Sequence, residues 1–265
     1  WVVDWNEARC TASRTFEKPE TSQRWQPLVD YLNANISGRR LELVPLTYPE
    51  LEAAVHKKEV DFVLTQPAHY VQLTYRERLH SPLATLVEKQ GNLSLGSFGG
   101  VIAVRAERSD ITSLTDLRGK RIATSGTNSL GSYQMQAGEL ANIGITLPGD
   151  AKVIETGQPQ DLAITELLAD SADAAFVRSG VLEAMQQEGK LDLARIRVIN
   201  TQQVEGFPLL LSTRLYPEWP FAAMPWANEN LSRQVASTLL GMSHDGPVAR
   251  AVGVHGFNIP GDYRT

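Results

Sequence analysis

"RIATSGTNSLGSYQMQAGELANIG", residues 121–144, is the stretch from which the fold is read. Its opening, "RIAT", is a short apolar run that reads as a strand, and "YQMQAGELANIG" reads as a helix with Gly144 at its C-cap. Gly138 inside that helix costs about 1 kcal/mol against alanine. Between the two lies a turn of small residues. A strand that turns tightly into a helix N-terminus exposes free N–H groups and the positive end of the helix dipole, which attract anions.

The turn itself, "GTNSLGS" (126–132), comes close to the phosphate-cradling loop of nucleotide hydrolases. That loop is G-x-x-x-x-G-K-[ST], because its lysine reaches the outer phosphates and its hydroxyl binds Mg²⁺. Ser132 and Tyr133 stand where those residues belong. Without the lysine no cation meets a developing phosphoryl charge, so nucleotide hydrolysis drops out. Two readings of the loop stay open, an anion seat and a plain strand-to-helix connection.

Outward from this stretch the same alternation recurs. "RLELVPL" (40–46) and "VDFVLTQP" (60–67) read as strands, with "YPELEAAVHKKE" between them as a helix carrying Pro49 in its first turn. "FGGVIAVRAERSD" is a further strand, and "SLTDLRGK" a short helix closed by Gly119. "AKVIET", "PQDLAITELLAD", "ADAAFVRSG" and "RIRVIN" continue the pattern, and "FPLLLST" (207–213) is expected as a late strand. Leu231, Val235, Thr238, Leu239 and Met242 fall on one face of a terminal helix. The chain is therefore α/β, and such folds bind ligands beyond the carboxyl ends of their strands. The loops concerned are "TYPE", "TQPAHY", "SGTNSLGSY", "TGQPQD" and "RSG".

Bulk properties narrow the function. The 265 residues suit one large or two smaller domains, with 42% hydrophobic and 21% charged residues as in a folded soluble protein. A net charge of −5 leaves no basic footprint for nucleic acid. No apolar run reaches the roughly 18 residues of a membrane span. No signal peptide is read at the N-terminus, which opens on Trp1 rather than Met. Cys10 is the single cysteine, so no internal disulfide forms.

The sequence holds no recognisable catalytic constellation. Ser129 lacks the glycine two places before it that a G-x-S-x-G elbow needs. The 5 histidines, at 56, 69, 80, 244 and 255, show no metal-binding spacing. His69, next to Tyr70 in an apolar stretch, is either a ligand contact or a structural histidine. Cys10, beside Arg9, is a candidate for a thiolate of lowered pKa or for an inert thiol. Asp61, Asp161 and Asp173 form no recognisable acid/base pair, and no cofactor is expected. Arg178 differs, because it ends the run "DAAFV" where a strand delivers its last side chain; an arginine there clamps an oxyanion through charge-assisted bonds.

Together "TSQRWQPLVDYLN", "VDFVLTQPAHYVQL", "FGGVIAVRAERSDITSLTDLRGKRIATSGTNSLGSYQ", "ADAAFVRSGVLEAMQQEG" and "LLLSTRLYPEWPFAAMP" resemble the phosphonate-binding-protein-like branch of type 2 periplasmic binding proteins. "STRLYPEWPFA" and "GFNIPGDY" resemble the version that forms the extracytoplasmic sensor domain of two-component sensor histidine kinases. The resemblance covers about residues 16–265; residues 1–15 match it poorly.

It implies two α/β lobes joined by two crossover hinge strands, at "GGVIAVR" and "FPLLLST", with a ligand closed between them by hinge motion. Lobe one is expected at 1–98 with 208–265, and lobe two at 99–207. The implied ligand residues are Tyr48, Thr65, Gln66, His69 and Tyr70 in lobe one. In lobe two they are Asn128, Ser129, Gly131, Ser132 and Tyr133 of the loop, with Gln158, Gln160 and Arg178. Leu130 departs from the family's hydroxyl pattern, which leaves more of the binding to backbone N–H groups, Ser129 and Ser132. Arg178 in place of carboxylates implies an anion without an amine: phosphate, a simple phosphonate or a sulfur oxyanion such as tetrathionate. Tetrathionate sensors of this kind carry a cysteine near "VRSGVLE", where this chain has Ser179 and Gly180. The expected partners are that small anion, a membrane reached through segments outside this chain, and a second copy in a full-length homodimeric receptor. A soluble binding protein feeding an ABC transporter fits the same residues.

Overall fold

The computed structural model of the chain describes residues 2–4, 18–79 and 82–264, with side chains from Thr21 onward; Cys10, His80 and most of the poorly matching residues 1–15 lie outside them. The described chain forms two compact units. The first runs to Ser97 and resumes at Tyr216, and the second is Phe98–Leu215.

The first unit is built on a seven-stranded sheet. Its order is Val254–Asn258, Ala84–Gln90, Pro220–Ala223, Phe62–Leu64, Val2–Asp4 and Val44–Leu46, with Leu93–Leu95 added beside Ala84–Gln90. Only the pairs of Val2–Asp4 are parallel; the strands contributed after residue 216 pair antiparallel. Side chains alternate across the sheet, as the two-residue period of a strand requires. Phe62, Leu64 and Phe221 pack beneath Trp25, Leu28 and Leu32 of helix Lys18–Asn35 and Val235 and Leu239 of helix Glu229–Leu240. Val63 and Ala222 face the other way, toward Leu51, Val55, Tyr70 and Leu73. Those come from helices Tyr48–His56 and Pro67–Glu77. Pro49 sits in the first turn of Tyr48–His56, whose start is fixed by the Thr47 N–H donating to Glu50 at 2.8 Å.

The second unit has a five-stranded sheet in the order Ile196–Ile199, Gly100–Arg105, Ala174–Arg178, Arg121–Thr124, Lys152–Glu155. Ala174–Arg178, Arg121–Thr124 and Lys152–Glu155 are mutually parallel, while Gly100–Arg105 runs antiparallel to both of its neighbours. Val101, Ala103, Ala175 and Val177 face helices Asp161–Leu168 and Val181–Gln187. Ile102, Val104, Ala174 and Phe176 face Tyr133 and Leu140.

One expected strand is absent. "FPLLLST" forms no strand, and residues 208–215 belong to the second unit, so the chain returns to the first after Leu215 and not after 207. Pro208 has no N–H to give a ladder. The segment is instead stitched to strand Gly100–Arg105 by hydroxyls. Ser212 Oγ accepts from the Ile102 N–H at 2.9 Å, Thr213 Oγ1 accepts from the Gly100 N–H at 2.9 Å, and the Ser212 N–H donates to the Gly100 carbonyl at 2.8 Å.

Candidate functional site

In the second unit, strand Arg121–Thr124 ends on buried Thr124, and the chain turns through small residues into a helix. The first turn, Leu130–Gln134, is π-wound and continues as the α-helix Met135–Asn142. Ser129 is the N-cap: its backbone is extended and its hydroxyl accepts from the Ser132 N–H at 3.4 Å. Ser125 Oγ and Ser132 Oγ lie 2.6 Å apart and buried. The loop is thus lined by hydroxyls and first-turn N–H groups, at the positive end of a helix dipole.

Arg178 closes in on this loop through Gly131. A Cβ at position 131 would stand 3.1 Å from Arg178 Cβ and 3.1 Å from the Phe98 ring, tighter than side chains ordinarily pack, so the glycine lets the loop lie directly against the Arg178 and Phe98 side chains. The guanidinium centre of Arg178 lies 4.1 Å over the Phe98 ring, a cation–π stack. Its backbone N–H donates to Gln160 Oε1 at 2.8 Å. Gln160 therefore holds the residue that carries the charge. Gln158 is half-buried on the same loop, where the Gly157 N–H donates to the Ser125 carbonyl at 3.1 Å. Asn128 is exposed on the outside of the turn. Tyr133 turns into the core beside Ile102 and Phe176, and burial pushes its phenol pKa up, with the nearby Glu155 charge a smaller cause. Glu155 also accepts from Thr127 Oγ1 at 2.8 Å, which places a carboxylate on the outer side of the loop.

In the first unit the expected residues gather around the N-terminus of helix Pro67–Glu77. Gln66 is its N-cap, accepting from the Ala68 N–H at 3.1 Å. Thr65 Oγ1 and His69 Nδ1 are 3.0 Å apart and buried, and the His69 ring meets the Tyr48 ring edge-on at 4.5 Å. Glu52 Oε1 is 3.7 Å from His69 Nε2, and its other oxygen pairs with Arg76 at 2.7 Å. Tyr70 points elsewhere, into the core against Tyr263 at 5.3 Å, and burial raises its phenol pKa.

Sequence reasoning missed Phe98 and Gln136. Gln136 is fully buried and donates to three main-chain carbonyls around the loop. The available signal was its place on the helix's buried stripe, between Tyr133 and Leu140. Among the described residues no group of three or more His, Cys, Asp or Glu is placed to hold a metal ion, and no helix is long and apolar enough to cross a membrane.

The profile of the family described as "ABC transporter, phosphonate, periplasmic substrate-binding protein" matches residues 12–262. The chain belongs to this phosphonate-binding family. It is a family of periplasmic substrate-binding domains, and its work is binding and not catalysis. The chain is 31% identical over 243 residues to the tetrathionate sensor histidine kinase of Salmonella typhimurium. That match takes in 90% of this chain and 40% of the relative, so the chain spans less than half of the relative's length. In fold the domain is similar to a Xanthomonas citri protein bound to ATP, with a TM-score of 0.74 at 17% identity over 98% of this chain and 90% of that one. It is also similar to PhnD1 of Prochlorococcus marinus in complex with methylphosphonate, with a TM-score of 0.65 at 14% identity over 99% and 93% of the two chains. The fold is that of the type 2 periplasmic binding proteins.

Proposed function

We infer that this chain is the extracytoplasmic ligand-sensing domain of an inner-membrane two-component sensor histidine kinase, and that it binds a small oxyanion, phosphate- or phosphonate-like or a sulfur oxyanion such as tetrathionate. The observation that carries the ligand class is the approach of Arg178 to the hydroxyl-lined helix N-terminus through Gly131. An arginine whose side-chain stem packs against Gly131, at a helix N-terminus lined by hydroxyls, favours one kind of guest, a compact anion with several acceptor oxygens. The likeness over 90% of the chain to a sensor kinase of greater length supports the sensor role.

In this reading the lobes close on the anion, and closure is the signal; a ligand shifts that equilibrium only by binding the closed form better. A second reading, the soluble binding protein of a phosphonate or phosphate transporter, is favoured by the description of the family itself. The reading frame beyond "GFNIPGDYRT" separates the two. A sensor continues into an apolar span of about 20 residues, and a transporter component does not.

The ligand is found by thermal-shift screening against phosphate, methylphosphonate, sulfate, thiosulfate and tetrathionate, since a ligand bound only by the folded state raises its apparent stability. Calorimetry on Arg178→Ala and Ser129→Ala is then expected to show affinity lowered about 10- to 100-fold for the arginine and less for the serine, the loss of one or two charge-assisted bonds. Wild-type affinity in both variants refutes the site.

A further inference from the structure

Gln136 lies one turn into the helix that follows the loop and is fully buried. Its Nε2 is 2.8 Å from the Gly131 carbonyl, 3.0 Å from the Val177 carbonyl and 3.3 Å from the Val101 carbonyl. One of these belongs to the anion loop, one to the residue immediately before Arg178, and one to the neighbouring strand. The amide lies flat on Gly100, where an added Cβ would come within 2.5 Å of its Cδ. Its orientation is dictated by chemistry: an amide NH₂ has two protons to share among three acceptors, and an oxygen turned the same way would face three carbonyl oxygens.

We propose that Gln136 is a positioning residue of the anion site, whose amide ties the Gly131 turn to the Val177–Arg178 strand end and so sets the spacing between loop and guanidinium. This rests on the oxyanion reading above. Phe98 and Gln160 hold Arg178 from two sides, by stacking and through its backbone N–H. Gln136 supplies the link between that arginine's strand and the loop opposite, so its loss widens the site without removing any group that touches the anion.

Two variants test it. Gln136→Met keeps the volume and deletes the donors; Gln136→Glu keeps the shape and donates only when its carboxyl is protonated. Wild type, both variants and Arg178→Ala are titrated calorimetrically with phosphate, methylphosphonate, sulfate and tetrathionate, with ligand-free melting curves recorded alongside. For an anion that wild type binds, Gln136→Met is expected to weaken binding about tenfold, since rigidly held geometry is what such donors supply. The affinity of Gln136→Glu relative to Gln136→Met for that anion is expected to rise as pH falls from about 7.5 to about 5, where a buried carboxyl takes up its proton. Taking the ratio cancels the anion's own ionisation, and a general loss of folding does not produce that rise. Wild-type affinity in Gln136→Met, or a ratio that stays flat with pH, overturns the positioning role while leaving the oxyanion reading intact. Failure of wild type to bind any of the four anions overturns both.

Discussion

Asp173 stands immediately before the strand that Arg178 ends, and it is held by two arginines. Its Oδ2 accepts from the Arg121 backbone N–H at 2.9 Å and from Arg121 Nε at 3.0 Å, while Oδ1 accepts from Arg108 Nη1 at 2.7 Å. The Arg121 side chain is the largest cause of a carboxyl pKa far below the ordinary 3.8; burial opposes it, and Arg108 and the Arg121 N–H reinforce it. A folded-state pKa below the unfolded one gives stability that is fully present above the unfolded value and is lost as pH falls through the folded one. The melting temperature of the protein is therefore expected to fall as pH drops below about 4. Asp173→Asn, which removes the charge facing Arg121 and Arg108 while Arg108 keeps its bonds to Asp110, is expected to cost about 1–2 kcal/mol at pH 7 and to lose less on further acidification. Parallel melting curves for the two proteins between pH 6 and pH 2 would contradict this account.

At the scale of elements, helix Met135–Asn142 carries a glycine with no packing reason to be there. A Cβ at Gly138 meets nothing within 4 Å, so Gly138→Ala is expected to stabilise by about 0.5–1 kcal/mol, read as a higher urea midpoint at unchanged slope. The segment that replaces the expected late strand behaves oppositely. Ser212 Oγ accepts from the Ile102 N–H and donates to the Ile199 carbonyl at 2.8 Å, so Ser212→Ala orphans two buried groups and is expected to cost about 1–3 kcal/mol on the same measurement. These two elements also mark where the sequence was legible. Strand Arg121–Thr124, the turn and the helix were readable because hydrophobic period and small-residue punctuation are local signals. "FPLLLST" was misread because its apolar run carries the same local signal, whereas its hydrogen bonds come from hydroxyls reaching strand Gly100–Arg105, a partner more than a hundred residues away. The site divides likewise. Arg178 was legible as a charge at the end of an apolar run, but that Gln160 holds its backbone, that Tyr133 turns inward and that Gln136 joins loop to strand depend on tertiary neighbours that no short window contains.

For the whole molecule, the two units differ in how their chain is assembled. Among the described residues the second is one stretch, Phe98–Leu215, with hydrophobic clusters on both faces of its own sheet. The first needs strand Pro220–Ala223 between Phe62–Leu64 and Ala84–Gln90, and Val254–Asn258 at the sheet's outer side. A polypeptide of residues 98–215 is therefore expected to fold alone, with a cooperative thermal transition by circular dichroism, whereas residues 1–97 alone are expected to show none. A non-cooperative melt for 98–215 would refute its independence. Within that unit, strands Arg121–Thr124 and Ala174–Arg178 run parallel, with the Asp173–Arg121–Arg108 ion network at their beginnings and Thr124 and Arg178 at their ends. Four residues of strand separate the two ends by about 10 Å, far enough for changes at each to add independently. The layout gives the protein a division that matters over generations. On the oxyanion reading proposed above, descendants can exchange one guest for another at the strand tips while the opposite tips keep the scaffold standing, so ligand preference is free to diverge faster than architecture.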